Sequence, residues 1–173
     1  MKFEKVGVIK YPKFINIVSI YIGKLRDLYN VELNERNSKY KRGELSEFVN
    51  ILGVKGELII QHFLHSKDVV FRFSDILAQT PQGSADIYIG DTHRIDVKTI
   101  NDGAPDLLVN EEAHNKGKNI THYWFVRPHT DASGKPLTSA DYWIFTYDEV
   151  SEWKVKNVKY SNAYYMELKE LLK

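Results

Sequence analysis

The stretch from Ser84 to Thr99 reads S-A-D-I-Y-I-G-D-T-H-R-I-D-V-K-T, and its reading decides the fold. Apolar and polar residues alternate on both sides of Gly90 and Asp91, which is the pattern of a half-buried β-hairpin. Ala85, Ile87 and Ile89 then share one face of the first strand, and Ile95 and Val97 share one face of the second. Asp86, Asp96 and Lys98 are turned the other way. With the turn centred on Asp91, the numbers of paired residues sum to 182, which sets Asp86 opposite Asp96. Carboxylates so paired, with Cβ atoms roughly 4.5 to 5.5 Å apart, repel each other, and a cation is expected between them. Mg²⁺ suits the place because it takes a few carboxylate oxygens and keeps waters that a phosphate can displace. Lys98, two residues beyond Asp96, would bring an ammonium there to stabilise charge developing on a phosphate or to orient a water.

At these residues the chain resembles the PD-(D/E)XK phosphodiesterase superfamily, the restriction-endonuclease-like fold of many restriction enzymes, resolvases and repair nucleases. The pieces are Asp86, the triplet Asp96-Val97-Lys98, and Glu57 in a preceding helical stretch. One position departs from the family pattern: Ala85 precedes the first acid where the family often has Pro. The resemblance covers residues 45 to 147. It implies an α/β fold with a central mixed sheet flanked by helices, and metal-dependent endonucleolytic hydrolysis of DNA phosphodiester bonds. It also implies Mg²⁺, with Mn²⁺ able to substitute, held by Asp86, Asp96, the Val97 carbonyl and Glu57. Asp86, Asp96, Lys98 and Glu57 are the catalytic set under this reading. The partner is DNA, and double-strand cleavage by one site per chain leans toward a homodimer. The alternative on the same fold is a DNA-binding or assembly protein that does not cleave. A third reading is an exposed, salt-bridged sheet face, whose pairs contribute about 0 to 1 kcal/mol each.

Working outward, the 173 residues are read as one domain. Residues 1 to 44 form a helical extension and basic loop, 45 to 147 the core, and 148 to 173 a helical C-terminal segment. Aromatic content of 13% and charged content of 27% are those of a folded globular chain. A net charge of +1 gives no chain-wide signature for nucleic acid, so a DNA surface has to be a local patch. The absence of cysteine excludes thiolate nucleophiles, disulfides and cysteine zinc sites. With no run of about 18 apolar residues and no signal-like segment, no membrane role and an intracellular, cytoplasmic location are expected.

Between Lys13 and Asn30, Phe14, Ile17, Val18, Tyr21, Ile22, Leu25 and Leu28 recur at steps of three and four, predicting a helix packed on the core; a dimerisation helix needs the same stripe. The polar stretch from Asn34 to Gly43 carries Lys39, Lys41 and Arg42 around Tyr40. It reads equally as a contact for a phosphate backbone or as a solvated connector. Leu45 to His65 is helical, with a break or close backbone approach at Gly53 and Gly56. Glu57 falls on a face that should be covered and needs a partner, although the helix dipole alone also favours an acid near a helix start. Gln61, one turn on, would line the same cleft.

Val69 to Phe73 predicts a strand before the hairpin. The segment from Asp106 to Asn119 reads as a short strand extension or a helix, and its Lys116 and Lys118 would reach DNA from a cleft-facing position. Ile120 to Arg127 and Ala140 to Tyr147 are aromatic strands joined by a surface loop, and a capped helical turn is expected at Asp148 to Val150. Tyr164 to Lys173 is expected to be a closing helix. His62 and His65 lack the spacing usual for a helical zinc pair, and neither a G-x-S-x-G elbow nor a phosphate-binding P-loop is present.

Overall fold

The computed structural model describes residues 3–36, 46–74, 85–116, 119–158 and 161–171. The chain runs β1 (Val6–Lys10), α1 (Phe14–Arg36), α2 (Ser46–Ser66), β2 (Arg72–Phe73), β3 (Ile87–Ile89), β4 (His93–Thr99) and β5 (Asp106–Asn110). It continues α3 (Glu111–Asn115), β6 (His122–Thr130), β7 (Pro136–Thr146), α4 (Tyr147–Ser151), β8 (Lys154–Val158), β9 (Ser161–Glu167) and α5 (Leu168–Leu171). Six strands form a mixed central sheet in the order β1-β7-β6-β4-β3-β2, and β5-β9-β8 form a second, antiparallel sheet. In the central sheet β4 and β6 are parallel and every other pair is antiparallel. A parallel pair needs a crossover, and here it runs through β5 and α3. Among the described residues, no helix is long and apolar enough to cross a membrane.

Alternation along the strands divides the apolar side chains between two cores. On one face Ile87, Ile95, Val97, Trp124, Val126 and Ile144 pack against Ile15 of α1 and Ile59, Ile60 and Leu64 of α2. On the other, Tyr123, Phe125 and Trp143 meet Leu107 and Val109 of β5, Val150 of α4, Trp153 and Leu168. Of the two α2 glycines, Gly56 makes the expected close approach and Gly53 does not, and the helix runs through both without a break. A Cβ built on Gly56 would lie 1.8 Å from the Thr99 Oγ1, so α2 rests directly on the end of β4. Gly23 does the same for α1, whose backbone passes so near α2 that a Cβ there would lie 2.4 Å from the Ile51 Cα.

Four expectations are corrected. The segment from 148 to 173 is not helical throughout: Lys154–Val158 and Ser161–Glu167 are strands β8 and β9. The latter is not the start of a closing helix, because it pairs with both β5 and β8; among the described residues after β9 only Leu168–Leu171 is helical. The α1 stripe does not pack on the core as a whole. Ile15, Ser19 and Gly23 face inward, whereas Phe14, Ile17, Tyr21, Leu25 and Leu28 are exposed. The region between the aromatic strands is mostly their own extension into a long hairpin, turned at Asp131, whose carboxylate accepts from the Ser133 and Lys135 amides. Residues 6 to 10 form an edge strand on β7. The ambiguous segment after residue 105 is first a strand, β5, and then a helix, α3. The helical turn after Tyr147 carries a full capping box between Thr146 and Glu149.

Candidate active site

The hairpin forms in the expected register: Ile89 pairs with His93, Tyr88 with Arg94 and Ile87 with Ile95. The ladder changes one residue earlier. The Asp86 N–H donates to the Ile95 carbonyl at 2.8 Å, one position out of step, and the Asp86 Oδ2 accepts the Val97 N–H at 2.7 Å. Asp86 therefore does not stand directly across from Asp96; its carboxylate takes the place of a strand partner at the end of β3. The slip also explains why Ala85 is buried in the core opposite to that of Ile87. Ser74 secures the segment, its N–H donating to the Asp86 carbonyl at 2.9 Å and its hydroxyl to the Ala85 carbonyl at 2.7 Å.

Main-chain directions along β4 place Val97. The Ile95 carbonyl and the Val97 amide meet Asp86, whereas the Arg94 carbonyl accepts from Thr121 on the β6 side. Because the N–H and C=O of one strand residue point to the same neighbour, the Val97 carbonyl also faces the Asp86 side, where β3 has ended. Asp96 and Lys98 project from the other core's face, beside Tyr123 and Phe125, their register partners on β6. The Lys98 Nζ lies 2.8 Å from the Asp96 Oδ2, and the Lys98 side chain keeps 36% of its surface accessible.

The electrostatics show how closely these groups are set. Burial, reinforced by the Asp96 and Glu57 carboxylates and only partly offset by Lys98 and the Val97 amide, pushes Asp86 up to about 8. For Lys98, burial works to lower the pKa, but the Asp96 carboxylate, with help from Asp86 and Glu57, outweighs it and raises the ammonium above its ordinary value. The site thus sets the carboxyl groups of Asp86 and Asp96 close to one firmly protonated lysine.

Glu57 is near enough to act on both Asp86 and Lys98, yet both of its oxygens are engaged. Oε1 and Oε2 each accept from the Arg26 guanidinium at 2.8 Å, in a fork largely shielded from solvent. The covered carboxylate has a partner, the Arg26 guanidinium on α1. Sequence reading missed Arg26; the signal was its place three residues after Gly23 on the inward face of α1. Asp96 has support that was also missed. Tyr123, its buried register partner, donates its hydroxyl to the His114 Nδ1 at 2.9 Å, and the His114 Nε2 meets the Ser151 Oγ at 2.9 Å. Since the Ser151 hydroxyl donates to the Tyr147 carbonyl, His114 is the donor at Nε2 and the acceptor at Nδ1. Burial lowers the His114 pKa and keeps the ring neutral in that role.

Of the other expected residues, Gln61 is half-buried one turn beyond Glu57. Lys116 is exposed on α3, where it pairs with Glu112, and α3 packs against β5 and β9. Lys39, Lys41, Arg42 and Lys118 lie outside the described residues. Among the described residues no three His, Asp or Glu side chains converge as a ready-made metal cluster. The donors that fit a hard divalent cation are two carboxylates, Asp86 and Asp96, and the Val97 carbonyl, an all-oxygen set that leaves room for water. No protein-family model matches the chain, and no curated protein does.

Proposed function

We propose that this chain is a metal-dependent endodeoxyribonuclease of restriction-endonuclease-like architecture, hydrolysing DNA phosphodiester bonds at the β3–β4 hairpin. The observation that carries the reading is the Asp86 carboxylate seated on the amide of Val97, within the Asp96-Val97-Lys98 triplet. That bond draws Asp86, Asp96 and a main-chain carbonyl to one place on a strand end, beside a lysine held in its charged form. Burial, reinforced by the Asp96 and Glu57 carboxylates, pushes Asp86 up to about 8, so a cation placed there would relieve the cost of ionising it.

In this reading Asp86, Asp96 and the Val97 carbonyl hold Mg²⁺, or Mn²⁺ in its place. When bound, that ion supplies Lewis acidity to the scissile phosphate and acidifies a water. Lys98, charged across the physiological range, stabilises the negative charge that builds on the phosphate oxygens and orients the water through its ammonium hydrogens. Glu57 acts through its charge, its carboxylate held in place by Arg26. Tyr123 and His114 hold the floor beneath Asp96.

The test is a cleavage assay on supercoiled plasmid, linear duplex and single-stranded DNA with Mg²⁺, Mn²⁺ or EDTA, run beside Asp96→Ala. Metal-dependent cutting that disappears in the variant is the expected result. Metal-independent DNA retardation with no cutting on any substrate would favour the non-cleaving DNA-binding alternative instead.

A further inference from the structure

Helix α1 has two apolar faces, and the fold uses only one. Phe14, Ile17, Tyr21, Leu25 and Leu28 are each between 51% and 68% exposed. They form one strip running about 21 Å along the helix. Together these five residues expose roughly 600 Å², the upper end of the largest patch of a typical monomer and a large part of the ~800 Å² each partner contributes to a standard interface.

We infer that this strip is the interface of a symmetric dimer, with a second copy of the chain as its occupant. Phe14, Tyr21 and Leu28 recur every seven residues, with Tyr21 midway. Two such helices crossed antiparallel about a two-fold axis at Tyr21 bring Phe14 of each copy against Leu28 of the other, so the strip is complementary to itself. Beside the strip Lys24 is opposed by Glu47 at 3.5 Å, Asp27 accepts from Asn50, and Lys13 is exposed. A surface for an anionic membrane or for nucleic acid would be bordered by unopposed basic residues. The opposite face of α1 carries Arg26 to Glu57, so dimerisation on this strip leaves both hairpin sites open. The inference stands apart from the nuclease reading.

The chain has no cysteine, which allows a direct test. Sedimentation of the full chain at micromolar concentration is expected to show a dimer. Tyr21→Lys should raise the dissociation constant about 30-fold or more, as loss of a central anchor does, and should lower the unfolding midpoint only by the concentration-dependent share that association contributes, because Tyr21 lies outside both cores. Under mild oxidation Tyr21→Cys should form a disulfide-linked dimer, and Ser133→Cys, in the exposed β6–β7 turn off the strip, should not. A monomeric natural chain overturns the inference, as does a dimer that Tyr21→Lys leaves intact. If Tyr21→Lys fails to fold, the cysteine pair decides: linkage equal at residues 21 and 133, or absent at 21, overturns it.

Discussion

The carboxylate of Asp86 accepts the backbone amide of Val97 at 2.7 Å, tying the first acid of the hairpin to the residue between the second acid and the lysine. This bond does not require a negative charge, since an amide oxygen accepts as well. It separates the fold's need for Asp86 from the chemistry's need.

Asp86→Asn should therefore fold, and fold more firmly at high pH. The folded chain holds a proton on Asp86 up to about pH 8, whereas the unfolded chain releases it near the ordinary value of 3.8. Between those values the folded state binds more protons, so stability falls as pH climbs through the window and levels off above it. Asn has no such proton to lose. Urea unfolding should show the variant about as stable as the natural chain at pH 4 and more stable at pH 9, by on the order of a few kcal/mol. Equal stability at both pH values would mean that Asp86 ionises freely.

Lys98→Ala removes the counter-charge from Asp96 and the cation from the site. DNA retardation should remain near the natural level while turnover falls by at least about 100-fold, the scale of losing one charge-stabilising donor. Single-turnover cleavage measured beside binding separates the two. A variant that still turns over would remove Lys98 from the mechanism.

Arg26→Ala leaves Glu57 covered and unpaired. The expected cost is about 2 kcal/mol of folding stability, read from the urea midpoint, because removing one partner of a shielded pair strands the other. Glu57→Gln should cost less, since a neutral amide still accepts one guanidinium hydrogen bond. A loss below about 0.5 kcal/mol for Arg26→Ala would place the pair in the class of surface bridges.

Gly56→Ala forces a methyl group to within 1.8 Å of the Thr99 hydroxyl, directly after Lys98 on β4. Overpacking of this kind costs about 1 to 3 kcal/mol. It should also lower cleavage more than Gly53→Ala, whose Cβ would stand 3.7 Å from its nearest neighbour, the Arg26 guanidinium.

The parts of this molecule that are legible in its sequence are those governed by local period. Alternation around Gly90-Asp91 placed the hairpin and its register, and the 3.6-residue period placed α1 and α2. What escaped depends on partners far along the chain. Strand β1 is defined by β7, more than a hundred residues away. Tyr164 to Glu167 satisfies a helical pattern locally but is held as strand by β5 and β8 on either side. The α1 stripe announced a helix without saying which half of it the core would cover. Within the site, Asp86, Asp96 and Lys98 followed from alternation. Arg26 and the slip at Asp86 did not, because one is a pairing between helices and the other a break in the alternation itself.

The central claim is that Asp86 and Asp96 form one cation site on the hairpin, and metal binding tests it most directly. Mn²⁺ titration of the full chain without DNA, followed by electron paramagnetic resonance and by calorimetry in two buffers of different ionisation enthalpy, should find one site. Binding at pH 7 should expel close to one proton, because Asp86 must ionise to hold the ion, and this release should fade above pH 8. Loss of the site in both Asp86→Asn and Asp96→Asn is the predicted result; Mn²⁺ binding that survives both substitutions, or no binding by the natural chain, would contradict it.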